Sequence, residues 1–350
     1  MTPSQQTAGS PAFEIGDFLP RMAMPDGSRT LVDLTTLDRA GRPMILWFAT
    51  DTAAALTALD ARRAELDDCD ALAFAVAVGA DPAGGEATPW LLYDPDDRFA
   101  GGLTAGRHGI AVIDPCRRLH RVLPSDALDE AVAACRALHE RTPAGLTAPH
   151  APVIVLEQVL EPEVCRKLIG YWESGTKKSD AIATAQGVRA DARAKRRADV
   201  VITDSALFNE VRERVGKRVI GEIHRAFGIA LSNFEPFRIG CYDAAEKGEF
   251  KRHRDNTSPV TSHRQFALTI NLNTGEYEGG ELWFPEYGRQ LFQPGAGGAV
   301  VFNCNLLHEA RPVTKGRRFG MFAFLFDKEH ARLEQEMRKK YPELAVQMTS

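Results

Sequence analysis

The chain lacks most features that would fix its class at a glance. No apolar run approaches the roughly 18 to 20 residues of a membrane-spanning helix, so no membrane association is expected. No C-x-x-C pair is present. Six cysteines, at 69, 116, 135, 165, 241 and 304, lie far apart and without regular spacing. That suits neither a disulfide framework nor a zinc knuckle; free, mostly buried thiols in a reducing compartment are expected. Nor is there an excess of charge of one sign: 43 Lys+Arg against 47 Asp+Glu leave a formal net charge of -4. A chain so balanced is not built around a nucleic-acid backbone. Residues 1–12 have no basic n-region and no apolar h-region, so they read as a disordered tail rather than a secretory leader, and a cytoplasmic location is expected.

The composition is that of a globular protein, with 44% hydrophobic and 26% charged residues over 350 positions, and the length favours two domains. The seam falls at 142–151, where Thr142-Pro-Ala-Gly-Leu-Thr-Ala-Pro-His150 has Pro and Gly but no helical or strand period. Before it, apolar runs at Met44 to Phe48, Leu72 to Val78 and Ile110 to Asp114 alternate with helical spacing at Ala53 to Leu66 and Ala127 to His139. Strands alternating with helices predict an α/β layer domain. After the seam, Glu161 to Trp172 and Phe208 to Phe227 are helical in period. Short strand candidates follow at Phe266 to Leu272, Glu281 to Phe284, Gly298 to Phe302 and Phe319 to Phe326, which predicts a β-rich sandwich or barrel. Lys177 to Arg197 carries seven basic residues against two acidic ones. It reads either as a solvated face or as a mobile flap whose Lys195, Arg196 and Arg197 steer an acidic substrate.

In the first half, Gly16 to Pro20, Met24 to Ser28, Gly41 to Ala49 and Gly109 to Pro115 resemble the opening and a later turn of peroxiredoxins and thioredoxin-like proteins. The resemblance implies an α/β thioredoxin-like domain over 13–141. It departs at the chemistry. Where that family places a thiolate at a helix start, this chain has Thr50-Asp-Thr-Ala-Ala-Ala55. The domain is therefore expected to be redox-inactive: a scaffold, a docking module or the surface of a homodimer.

In the second half, His253-Arg-Asp255 and the distant His308 form a candidate metal site. Residues at i and i+2 on extended chain point the same way, and two imidazoles with one carboxylate leave three adjacent positions of an octahedral metal open. Arg318 offers a fork for a carboxylate if 299–308 and 317–326 pair as antiparallel strands facing one cavity. The stretches Phe237 to Tyr242, Gly248 to Asp255, Arg264 to Asn273, Gly279 to Pro285, Gln293 to Gly295 and His308 to Arg318 together resemble the 2-oxoglutarate- and Fe(II)-dependent dioxygenases of the prolyl 4-hydroxylase-like class. The resemblance implies a double-stranded β-helix (jelly roll) core inside an α+β domain over 152–330, followed by a helix or tail over 331–350. It further implies Fe(II) on His253, Asp255 and His308, and 2-oxoglutarate on Arg318, with Tyr242, Thr269 and Asn271 also lining its pocket. Dioxygen is the oxidant and ascorbate an accessory reductant. The implied reaction couples decarboxylation of 2-oxoglutarate, giving succinate and CO2, to hydroxylation of a small molecule or peptide. Collagen-type relatives usually carry lysine where Arg318 stands, which leaves a proline substrate unsupported. Tyr242 as a core residue, and Thr269 and Asn271 as strand filling, stay open, and His263 and His330 read as solvent-facing. A non-catalytic 2-oxoglutarate or oxygen-sensing module and a thiol peroxidase are the alternative functions.

Overall fold

The computed structural model describes residues 13–36, 39–84, 86–104, 106, 108–141, 150–179, 181–184, 187–190 and 195–342, with backbone alone at 178–179, 181–184 and 187–190. The chain divides into two compact units, Met1–Gly145 and Leu146–Ser350. Most of the expected seam, residues 1–12 and residues 343–350 lie outside the described residues.

The first unit is built on a five-stranded sheet in the order Leu91–Asp94, Leu72–Val78, Met44–Ala49, Gly109–Ile113, Leu119–Leu123. The first three strands are parallel and the last two antiparallel. The central strands are continuous apolar runs because both of their faces are covered. Ile45, Ala73, Ile110 and Val112 pack under the helices, and Leu46, Phe48, Phe74 and Val76 fill the opposite side. The helical stretch expected over 53–66 is two helices, Thr52–Ala61 and Arg63–Asp68, broken where Arg62 leaves helical geometry (φ -104°, ψ 10°). Asp51 caps the first by accepting from the Ala54 N–H. Cys69 and Cys135 are buried and Cys116 exposed.

The second unit is a jelly-roll type sandwich of two antiparallel sheets. The larger runs Ile154–Leu156, Ala299–Asn303, Phe266–Asn271, Arg317–Phe326, Arg238–Asp243, Ala198–Val201, Lys178–Ser179, with Asn233–Phe234 also paired to Arg317–Phe326. The smaller runs Lys195–Arg196, Glu249–His253, His308–Ala310, Leu282–Trp283, Leu291–Phe292. Strand alternation decides what each face holds. Ile239 and Cys241, Leu268 and Ile270, and Phe319, Met321, Ala323 and Leu325 pack with residues of the helices Pro162–Ser174, Ser205–Val215 and Gly221–Phe227. Their neighbours Tyr242, Thr269, Asn271, Arg318 and Phe322 are left on the inner face, where Tyr242 and Phe322 cluster with Ala310 and Phe250 of the smaller sheet.

One expected pairing is wrong. Ala299–Asn303 and Arg317–Phe326 do not pair with each other; Phe266–Asn271 lies between them and pairs with both. The strand also stops at Asn303, whose side chain accepts from the Asn305 N–H and whose carbonyl accepts from the Leu306 N–H. That turn carries the chain across to the smaller sheet, so His308 and Arg318 come from opposite sheets rather than from one hairpin. The final helix, Lys328–Lys340, starts earlier than expected because Asp327 caps it by accepting from the His330 N–H.

Candidate metal centre

His253 is the last residue of Glu249–His253 and pairs across the smaller sheet with His308, the first residue of His308–Ala310. The two rings lie 4.1 Å apart, centroid to centroid. Asp255 is not on the strand, as its spacing had suggested, but in the turn after it. Its N–H donates to the Cys304 carbonyl, and Arg264 Nη1 donates to its carbonyl oxygen, so the backbone is held on both sides. The carboxylate reaches both histidines, with Oδ1 3.5 Å from His253 Nε2 and Oδ2 3.5 Å from His308 Nε2. One ligand atom from each of the three residues falls within a 4.8 Å group.

The outer nitrogens decide what the inner ones offer. His253 Nδ1 lies 2.6 Å from the Lys251 carbonyl, and His308 Nδ1 lies 3.0 Å from the Leu306 carbonyl. A carbonyl accepts only, so each Nδ1 carries the proton and each Nε2 turns a lone pair inward. Burial, together with His253, pushes His308 down to about 4, and it is neutral at pH 7. Burial pushes the Asp255 carboxyl up, but His308, His253 and Arg264 outweigh it and bring it to about 2. Two imidazoles with their Nε2 atoms turned inward and an ionised carboxylate beside them suit a divalent transition metal. The Phe250 ring stacks on His253 at 3.5 Å and Phe302 packs against His308 at 4.6 Å, fixing both rings.

On the inner face of the larger sheet, Arg318 is 2% exposed. Its Nη2 donates to Asn271 Oδ1 at 3.0 Å, while its buried Nε has no hydrogen-bond partner. Asn271 gives one amide N–H to the Pro294 carbonyl, which fixes the side chain so that its Oδ1 orients Arg318. Gly280, at φ +71°, makes room: a Cβ there would sit 2.8 Å from Arg318 Cδ. Tyr242 pairs in register with Arg318, whose guanidinium lies 5.1 Å from the phenol ring. Thr269 is buried on the same face beside Phe322.

Three residues of the basic stretch are placed differently from what the sequence suggested. Lys195, Arg196 and Arg197 are not on a mobile flap. Lys195 and Arg196 form an edge strand of the smaller sheet, paired with Phe250 and Glu249, and Arg196 bridges to Glu249. Arg197 Nε and Nη2 grip Asp199 at 2.6 and 2.8 Å, and Nη1 donates to the Tyr242 hydroxyl at 3.1 Å. Burial and Arg197 push the Lys195 ammonium down to about 8, against the pull of Asp199. The rest of the basic stretch falls on residues outside the description or described by backbone alone, apart from Lys177, which donates to the Glu173 carbonyl.

His263 is not solvent-facing either. It is 1% exposed, donates to Glu235 at 3.0 Å and packs edge-on against Phe326; His330, by contrast, is half-buried on the Asp327 cap. Arg264 grips the same Glu235 with Nε at 2.5 Å and Nη2 at 2.8 Å. Burial pushes the Glu235 carboxyl up, but Arg264 and His263 hold it well below the usual carboxylate range. A group depressed in this way adds stability above its unfolded pKa, near 4.3, and loses it as pH falls. Glu235→Gln leaves Arg264 uncompensated in the interior, which costs about 3 to 5 kcal/mol for a broken buried pair. Urea unfolding at pH 7 is expected to show that loss, with the gap to wild type narrowing toward pH 3. A gap independent of pH would contradict the assignment.

Residues 237–326, which include all three metal-site residues, match the model of the 2OG-Fe(II) oxygenase superfamily. The chain is 35% identical over 105 residues to a PKHD-type hydroxylase of Saccharophagus degradans, covering 28% of this chain and 45% of that protein. It is 27% identical over 194 residues to a PKHD-type hydroxylase of Nitrobacter winogradskyi, covering 51% and 80%. The first of these matches thus spans less than half of the relative's length. Among solved structures, a prolyl hydroxylase from Trichoplax adhaerens in complex with a hypoxia inducible factor peptide fragment aligns at a TM-score of 0.43 and 18% identity, over 52% of this chain and 86% of that one.

Proposed function

We propose that the chain is an Fe(II)- and 2-oxoglutarate-dependent dioxygenase that hydroxylates a small molecule or a peptide. One observation carries the reading. Two inward-facing Nε2 lone pairs and a carboxylate gather at the smaller sheet, and the inner face of the larger sheet carries a buried guanidinium with an unused Nε–H. The donor set fits Fe(II), and the orphaned Nε of Arg318 fits the far carboxylate of a dicarboxylic keto acid. His253, Asp255 and His308 would hold the metal, and Arg318, oriented by Asn271, would hold 2-oxoglutarate. When bound, iron and 2-oxoglutarate supply oxidative decarboxylation coupled to hydroxylation of a C–H bond. The protein's part is geometric. The Nδ1 contacts fix both imidazole tautomers, and Phe250 and Phe302 hold the rings. Arg197 occupies an acceptor lone pair of the Tyr242 hydroxyl, which leaves the phenol proton to be donated into the cavity. The superfamily match over the same residues and the PKHD-type relatives support this reading. Incubation with Fe(II) and 2-oxoglutarate is expected to release succinate; a thiol peroxidase would instead consume peroxide with a thiol reductant.

The first unit fits a redox-inactive thioredoxin-like domain. Its central parallel strand leads into a helix whose first turn carries Asp51 and alanines but no thiol. Burial, its leading cause, raises Cys69 above its ordinary value and pushes Cys135 up to about 12, the opposite of a reactive thiolate. Cys69→Ala and Cys116→Ser are expected to keep 2-oxoglutarate turnover within about twofold of wild type, as a site-distant change should. Loss of turnover in either variant would refute the scaffold role.

A further inference from the structure

We infer that the hydroxylated substrate is a carboxylic acid, and that Lys195 holds its carboxylate beside the metal ligands. The inference rests on the oxygenase reading above and assigns that site a substrate class. Lys195 lies on the strand next to the one that ends in His253. It pairs with Phe250, the residue stacked on the His253 ring, and its Nζ lies 5.7 Å from the Phe250 ring centre. The ammonium is therefore on the cavity side and close to the metal ligands. Its side chain is only 6% exposed.

An ammonium has three N–H donors. Nζ gives one to Asp199 at 2.9 Å, and among the described residues the others find no acceptor. Asp199 does not neutralise the group alone, because the same two oxygens already accept the fork of Arg197. Burial, with the positive charge of Arg197 and of Arg238, depresses the lysine against the pull of Asp199. 2-Oxoglutarate does not absorb the lysine's charge. Its two negative charges and Asp255 balance Fe(II) and Arg318, leaving the metal end neutral. Lys195 is left with only a share of Asp199 as its negative partner among the described residues. A substrate carboxylate supplies a second one, together with acceptor lone pairs for the unused N–H groups.

The test uses the full chain loaded with Mn(II) and saturated with 2-oxoglutarate, so that Arg318 is occupied. Thermal midpoints are read with acetate or propionate against acetamide or propionamide, at constant ionic strength. The carboxylates are expected to raise the wild-type midpoint by about 2 °C or more once well above their Kd, and the isosteric amides to leave it unchanged. Lys195→Met should lose the carboxylate effect and Lys195→Arg keep most of it. Both variants are expected to fold, since Asp199 stays in the grip of Arg197. Equal effects of acids and amides on wild type, or an undiminished carboxylate effect in Lys195→Met, overturn the inference while leaving the oxygenase reading intact. No thermal shift from Mn(II) and 2-oxoglutarate themselves overturns that reading, and the inference with it.

Discussion

Alanine at any one of His253, Asp255 or His308 is expected to abolish specific metal binding. Each residue supplies one atom to a group within 4.8 Å, and two remaining donors do not hold a labile divalent ion against water. Loss of an outer-shell partner already costs about 10- to 100-fold in metal affinity, and loss of a ligand itself should cost more than ~100-fold. The three variants should not unfold. His253 and Asp255 lie at the end of a strand and in a turn, and His308 sits in an aromatic pocket that accepts a small cavity. Iron content after anaerobic loading, by elemental analysis of gel-filtered protein, is the readout. Iron retained at wild-type level by all three variants would remove the assignment.

Arg318→Ala is expected to weaken 2-oxoglutarate far more than metal. The guanidinium is buried on the inner face of the larger sheet, with Asn271 on one nitrogen and an unused Nε–H beside it. Losing a desolvated charge-assisted pair costs about 2 to 5 kcal/mol, more than tenfold in affinity. Calorimetry with Mn(II)-loaded protein should show that rise in the 2-oxoglutarate Kd with little change in Mn(II) affinity. Arg318→Lys should recover part of it, because a lysine restores the charge but not the fork. An unchanged Kd in Arg318→Ala would place the co-substrate elsewhere.

The three residues that the structure gathers into a candidate metal site, and Arg318, carry a local signal: a His-x-Asp tripeptide, a later histidine, and an arginine ten residues beyond it. Strand alternation likewise marked Phe266–Asn271 and Arg317–Phe326, since core and cavity residues alternate along both. Strand order was not legible. Nothing in the two sequences flanking it tells that Phe266–Asn271 inserts between Ala299–Asn303 and Arg317–Phe326, because antiparallel neighbours are chosen by packing across the whole sheet. The charged interior was hidden for a related reason. Lys195, Arg196 and Arg197 look like a solvated run until Asp199, Tyr242 and Glu249 are brought beside them. Glu235 lies 28 positions before His263, which alone reads as solvent-facing, although with Arg264 the two brace the backbone of Asp255. A weak clue was present in Arg197-Ala-Asp199, where two opposite charges at strand spacing share one face.

The reading of the whole chain stands or falls on one assay: succinate formed from 2-oxoglutarate under air with Fe(II), for wild type and Asp255→Ala side by side. The account predicts succinate and CO2 in equal amounts from the wild type, none without oxygen or iron, and none from Asp255→Ala. Absence of succinate from iron-loaded wild type, or formation undiminished in Asp255→Ala, would contradict it.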